Sequence, residues 1–160
     1  MVSNNVTRLL TAKKIKFTVF ELPAEKLGAQ KSAEIMQVPV EMVFKTIVIQ
    51  RNRPGKAVLA VVPGNRSADL KAIAAILNEK KLSLPTEKEA EQITGLQAGG
   101  ISPLALIQKG FQVLIDESAL QFPEIHISGG QRGLNIRLGV KDVVQLTNAR
   151  LAAISSTEED

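Results

Sequence analysis

The chain has 160 residues and no cysteine. That length carries one domain with a core of its own, and the missing thiols exclude disulfides, a cysteine nucleophile and thiolate zinc sites. Hydrophobic residues make up 44% and charged ones 22%, the balance of a soluble globular protein, and a formal charge of +4 with a sequence pI near 9.5 favours a polyanionic partner.

In chain order, "VTRLLTAKKI" sets Val6, Leu9, Leu10 and Lys13 at helical spacing. The surrounding "MVSNNVTRLLTAKKIKF" lacks the apolar core of a signal peptide, and no run approaches the roughly 20 apolar residues of a membrane span. "KFTVFEL" alternates as a strand up to Pro23. "GAQKSAEIMQV" predicts a helix with Ala29, Ala33, Ile35 and Met36 on its buried side, ending before Pro39. The β-branched runs "MVFKTIVIQ" and "AVLAVVP", joined by "RNRPGK", predict an antiparallel hairpin deep in a sheet. "SADLKAIAAIL" opens at an N-cap, Ser67 or Asp69, with Leu70, Ile73, Ala74 and Leu77 on one stripe.

Farther along, "KKLSLP" is a short strand and "TEKEAEQIT" a polar helix opened by a Thr86–Glu89 capping box. A glycine-rich loop, "LQAGGISPL", follows directly. "FQVLIDESAL", "EIHIS" and "LNIRLG" carry three more strands, and "VKDVVQLTNARLAAI" is a closing amphipathic helix. No repeat or long linker divides the chain, so residues 1–154 are expected to form a single domain and residues 155–160 an acidic, frayed tail. Strands and helices interspersed without a βαβ rhythm predict a mixed α/β fold, a curved sheet partly closed into a barrel and flanked by helices.

Three features carry candidate chemistry. Lys45 in "VFKTIVI" shares a strand face with Ile47 and Ile49, opposite Phe44, Thr46 and Val48. Its ammonium either snorkels from the strand end into water or stands at a pocket mouth over a phosphate or a developing negative charge. Gly99 and Gly100 bare their N–H groups among apolar neighbours, and Pro103 stiffens the exit after Ile101 and Ser102. The alternative for this loop is a tight bend that packs backbone on backbone. "HISGGQRGLNI" repeats the theme at Ser128, Gly129 and Gly130.

Ser128 and His126 lie two apart on one strand, about 6.5–7 Å, too far for a nucleophile and its base. No G-x-S-x-G elbow surrounds the serine, and His126 reads as a solvated strand residue. One histidine, no cysteine and no spaced carboxylate cluster leave no metal ligand set. Neither glycine loop matches a P-loop or a dinucleotide fingerprint, so no cofactor is expected. Arg51, Arg53 and Lys56 form a charged turn, whereas Arg132 and Arg137 flank the second glycine loop, within reach of a phosphate. Five Phe without Tyr or Trp make a stacking platform for single strands a poor fit.

Together "VFKTIVI", "GGISPL" and "ISGGQRGLNIRL", in this order, resemble the YbaK/EbsC family. That family includes free-standing deacylases and the editing domain inserted in bacterial prolyl-tRNA synthetases, and the resemblance runs from about Val6 to Ile154. It implies a trans-acting, cytoplasmic aminoacyl-tRNA deacylase that hydrolyses mischarged tRNA of the Cys- or Ala-tRNA(Pro) kind. An aminoacyl-tRNA synthetase is implied as a second partner, with no membrane, metal or cofactor. Lys45, Gly99 and Ser128 take the catalytic roles under this resemblance. Gly100, Ile101, Ser102, Pro103, Gly129, Gly130 and Arg132 take the substrate-binding ones.

The aminoacyl ester is already activated, so the resemblance implies attack by water, the ribose hydroxyl or the substrate's own thiol, with no enzyme nucleophile. Two departures bear on substrate choice. Asn135 stands where the family often has Asp, and "VFELPAEKLGAQ" replaces a segment in which relatives carry Tyr, His and Asp. The competing expectations are a non-catalytic module of the same fold that binds tRNA or a synthetase, and a nucleotide binder that uses the glycine loops for phosphate.

Overall fold

A computed structural model of the chain describes residues 3–158. The first helix, α1 (Asn5–Ala12), starts at a reciprocal cap: Asn4 accepts from the Thr7 N–H, and the Asn4 N–H donates to the Thr7 hydroxyl. It buries Val6, Thr7 and Leu10, while Lys13 is exposed beyond its end. Strand β1 (Phe17–Glu21) follows, then α2 (Ala29–Met36). Ala33 alone is fully buried in α2, and Ile35, expected on its inner side, is 43% exposed. Two residues along a helix is about 200° of rotation, so Ile35 and Ala33 cannot share a face.

The expected hairpin is present as β2 (Phe44–Arg51) and β3 (Val58–Pro63), antiparallel with Lys45 opposite Val62. Next come β4 (Arg66–Ala68), α3 (Leu70–Leu77) capped by Asp69, β5 (Leu82–Ser83) and α4 (Glu87–Thr94). The Thr86–Glu89 capping box forms as expected. A 3-10 segment, Pro103–Lys109, leads into β6 (Gln112–Asp116), β7 (Glu124–Ser128), β8 (Leu134–Gly139) and α5 (Val140–Thr147).

The expected closing helix is shorter than its apolar spacing suggests. Asn148 takes a left-handed conformation and stops α5, and the remaining chain forms β9 (Arg150–Ala152) and β10 (Ser155–Thr157). The expected tail therefore begins as a paired strand, β10 on β4, with Ser155 opposite Ala68. Asp116 anchors this end by accepting from the Ile154 N–H at 3.0 Å. Glu159 and Asp160, the rest of the acidic tail, lie outside the described residues, as do Met1 and Val2.

The strands make a five-stranded sheet in the order β5-β2-β3-β6-β9, a three-stranded sheet β1-β8-β7, and the β10-β4 pair. Burial on both faces of β3, whose six residues are all buried, marks it as the centre of the larger sheet. One face carries Ile49, Val58, Ala60, Val62 and Leu114 against Ile73 of α3 and Ile154. The other carries Phe44, Val48, Leu59, Val61 and Ile115 against α1, α5 and the Ile125, Ile127, Ile136 and Leu138 side chains of the smaller sheet. This mixed α/β architecture matches the expectation, but the barrel does not. Among the described residues the two main sheets touch through an isolated bridge, Val43 with His126, rather than a continuous ladder, so no sheet closes on itself.

Candidate active site

Because β5 pairs with β2 only at Gln50 and Arg51, the edge of β2 from Lys45 to Val48 has no strand beside it on that side. A cavity of about 390 Å³ opens there, and Lys45, Thr46, Ile47 and Val48 of both parities line it. A free strand edge offers main-chain N–H and C=O groups to whatever enters.

The opposite wall comes from the smaller sheet. In the β7–β8 register Ser128 faces Asn135 and His126 faces Arg137, so these polar side chains share the face away from the Ile125–Ile127 core. Ser128, Leu134 and Asn135 reach the cavity at the end of that face. The floor and remaining walls include Ala98, Gly99 and Ile101 of the glycine loop, Leu27 and Ser32 around α2, and Pro85 and Ala90 around α4. Lys45, Gly99, Ile101 and Ser128, named from sequence, thus line one hollow.

The Lys45 side chain is 30% exposed. Its ammonium donates to the Gly64 carbonyl at 3.3 Å and pairs with Glu158 Oε2 at 3.1 Å. Gly64, the residue after β3, has no room for a side chain: a Cβ there would lie 2.2 Å from Ala29 Cβ, so the end of β3 and α2 meet directly.

The other predicted glycines and their neighbours build the turns instead of lining the cavity. Gly100 N–H donates to the Gln97 carbonyl at 2.8 Å, and a Cβ on Gly100 would lie 2.8 Å from Gln131 Cα. The two glycine turns therefore pack backbone against backbone. Arg132 fastens them, its Nε donating to the Ala98 carbonyl at 2.6 Å. Ser102 is buried and its hydroxyl caps the segment opened by Pro103, accepting from Leu104 N–H at 3.2 Å. Gly130 N–H donates to Ser128 Oγ at 3.2 Å, and the Gly129 carbonyl accepts from Asn4 Nδ2 at 2.9 Å. Of the loop residues that line the cavity, Gly99, at φ +89, and Ile101 have N–H groups without a hydrogen-bond partner among the described residues.

His126 is fully buried rather than solvated. Phe20 packs on it with ring centroids 5.1 Å apart, and its main chain bridges to Val43 ahead of β2. Its Nδ1 lies 3.0 Å from Asn135 Oδ1, so Nδ1 carries the proton and the Asn135 amide is held in place beside the cavity. Burial pushes the imidazole pKa below its ordinary value, with the Asn135 bond opposing and Arg137 adding to the shift. Arg137 turns away from the glycine turns toward Glu124 at 3.7 Å and the Phe20 ring at 5.3 Å.

Sequence reasoning left Thr46 out of the site and treated Asn135 only as a missing carboxylate. The free edge of β2 is the signal that recruits Thr46, and cross-strand register with Ser128 recruits Asn135. Among the described residues no group of three or more His, Cys, Asp or Glu could hold a metal ion.

Comparison with known proteins identifies the family of the chain. The model of the aminoacyl-tRNA editing domain matches residues 24–146, a span that holds Lys45, both glycine turns and Asn135. The chain belongs to this family. A protein of Enterococcus faecalis named "Putative Cys-tRNA(Pro)/Cys-tRNA(Cys) deacylase EbsC" is 33% identical over 156 residues, covering 96% of this chain and 94% of its own. Among solved structures, "a putative trans-editing enzyme for prolyl tRNA synthetase" superposes with a TM-score of 0.77 at 25% identity, over 99% of this editing domain and 100% of that chain. The hypothetical protein APE2540 superposes at 0.86 with 19% identity, over 96% of this chain and 100% of that one, a likeness of fold alone.

Proposed function

We propose that this editing domain is a trans-acting aminoacyl-tRNA deacylase that removes the wrong amino acid from tRNA, with Cys- or Ala-charged tRNA(Pro) as its substrate class. The observation that carries the proposal is the single cavity shared by Lys45, Gly99 and Ser128. The names of the Enterococcus relative and of the trans-editing enzyme support the choice of substrate. The enzyme acts free in the cytoplasm or beside a synthetase; no described helix is long and apolar enough to cross a membrane.

An aminoacyl ester needs orientation and a place for charge more than it needs an enzyme nucleophile. Water, oriented by the neighbouring ribose hydroxyl, or a cysteine substrate's own thiol attacks the ester carbon; the free amino acid or its thiolactone is released, and the ribose oxygen leaves with a proton. The Gly99 N–H donates to the oxygen that becomes negative. Lys45 holds the phosphate or ester region of the terminal adenosine, exchanging its pair with Glu158 for the substrate anion. Such an exposed pair is worth about 0–1 kcal/mol, so a phosphate displaces it readily. Ser128 and the Asn135 amide close the floor, and Gly100, Ser102, Pro103, Gly129, Gly130 and Arg132 keep the two turns in register behind it.

A deacylation screen with Cys-, Ala-, Ser- and Pro-charged tRNA, with tRNA identity varied, tests the reading. Release of Cys or Ala from tRNA(Pro) ahead of the other combinations is the expected result. Salt-sensitive tRNA binding without release from any charged tRNA would make the domain a binding module instead.

A further inference from the structure

The tip of the β2–β3 hairpin holds a second concavity of about 310 Å³, lined by Arg51, Arg53, Lys56, Gln50, Ile93 and Phe111. Its charge is lopsided. Glu79 takes Arg51 at 3.2 Å and Arg53 at 2.5 Å, and as a carboxylate it is held ionised by the Arg53 bond. Three cations against that one carboxylate leave a surplus of two positive charges. Lys56 stands 5.5 Å from the centroid of the Phe111 ring and meets no carboxylate among the described residues. Arg51 Nε is buried there without a hydrogen-bond partner. Lys109, also exposed, immediately precedes Gly110, whose position lies within 4 Å of the Lys56 side chain.

This groove and the cavity share two elements. Strand β2 carries Lys45 at the cavity and Arg51 at the groove, six residues or roughly 20 Å apart at the rise of a strand. Helix α4 borders the cavity with Ala90 and the groove with Ile93. At roughly 3.4 Å of rise per stacked nucleotide, 20 Å is the span of about six nucleotides. We infer that the Arg51–Lys56 groove is a second contact for the substrate and holds the phosphodiester backbone of the tRNA acceptor arm while the aminoacyl end occupies the cavity. The inference rests on the proposed deacylase reading. It gives the groove sequence-independent work, positioning a duplex by its phosphates, for which lysine and arginine with few aromatics suffice.

The test uses the Lys56→Ala/Lys109→Ala double variant, since both side chains are exposed, with folding verified by thermal unfolding. Binding of uncharged tRNA is followed by fluorescence anisotropy from about 50 to 200 mM salt. Deacylation is compared on full-length charged tRNA and on the same amino acid esterified to adenosine alone. Losing two phosphate contacts lowers the magnitude of the slope of log K against log salt by about 1.4 to 1.8 and raises KM for tRNA about tenfold or more at low salt. Turnover of the adenosine ester stays at the wild-type value. An unchanged slope and KM overturn the inference, and so does an equal loss on both substrates. If the slope falls while neither protein deacylates any charged tRNA, the groove is a tRNA contact and the deacylase reading fails. Normal tRNA binding with loss of binding to a synthetase would overturn the inference in favour of an acidic protein surface.

Discussion

At Asn135 a buried histidine does the positioning. His126 has no charge to offer the substrate, yet its Nδ1–H fixes which end of the Asn135 amide faces the cavity. Because burial lowers the imidazole pKa in the fold, the unfolded chain binds more protons between the ordinary value near 6.5 and the lower folded value. Stability from this residue is therefore complete above about pH 6.5 and is lost as pH falls through that window. Urea unfolding of wild type at stepped pH should show the decline, and His126→Phe should flatten it whatever its own offset in stability. A decline of equal steepness in the variant would move the effect to another group. Strand alternation revealed which residues share a face with His126. It could not reveal that the face is covered, because Phe20 packs on it from more than a hundred residues away in sequence.

Among the elements, the two glycine turns illustrate how a local pattern underdetermines its use. Paired glycines at 99–100 and 129–130 announce bare backbone. Only the packing distinguishes Gly99, which faces the cavity, from Gly100, which makes room for the other turn. An alanine at 100 would set its Cβ 2.8 Å from Gln131 Cα and 3.0 Å from Arg132 N, backbone atoms that cannot swing aside. Gly100→Ala should cost about 1–3 kcal/mol of stability in denaturant unfolding and lower deacylation with it. Stability within error of wild type would mean that the turns are not in close contact. The C-terminal strands escaped sequence reading for a related reason. Apolar spacing continues through "TNARLAAI", whereas the left-handed turn at Asn148 that ends the helix is a single-residue signal.

Over the whole molecule, the cavity is made where two sheets fail to join. A continuous ladder between β2 and its neighbours would have consumed the edge from Lys45 to Val48, and the expected barrel would have left no opening there. The motifs at 43–49, 99–104 and 127–138 were readable one at a time, and the β2–β3 hairpin followed from two β-branched runs joined by a Pro-Gly turn. Their convergence was not readable without the family resemblance, because it depends on the crossing of β7 over the start of β2. The account then rests on one ammonium serving a cavity that it shares with Gly99, Ser128 and Asn135. The most direct measurement compares deacylation of Cys-tRNA(Pro) and Ala-tRNA(Pro) by wild type and Lys45→Ala, with folding of the variant verified by thermal unfolding. A fall of about a hundredfold or more in kcat/KM with the fold intact is predicted. Wild-type turnover in a folded Lys45→Ala protein would contradict the account.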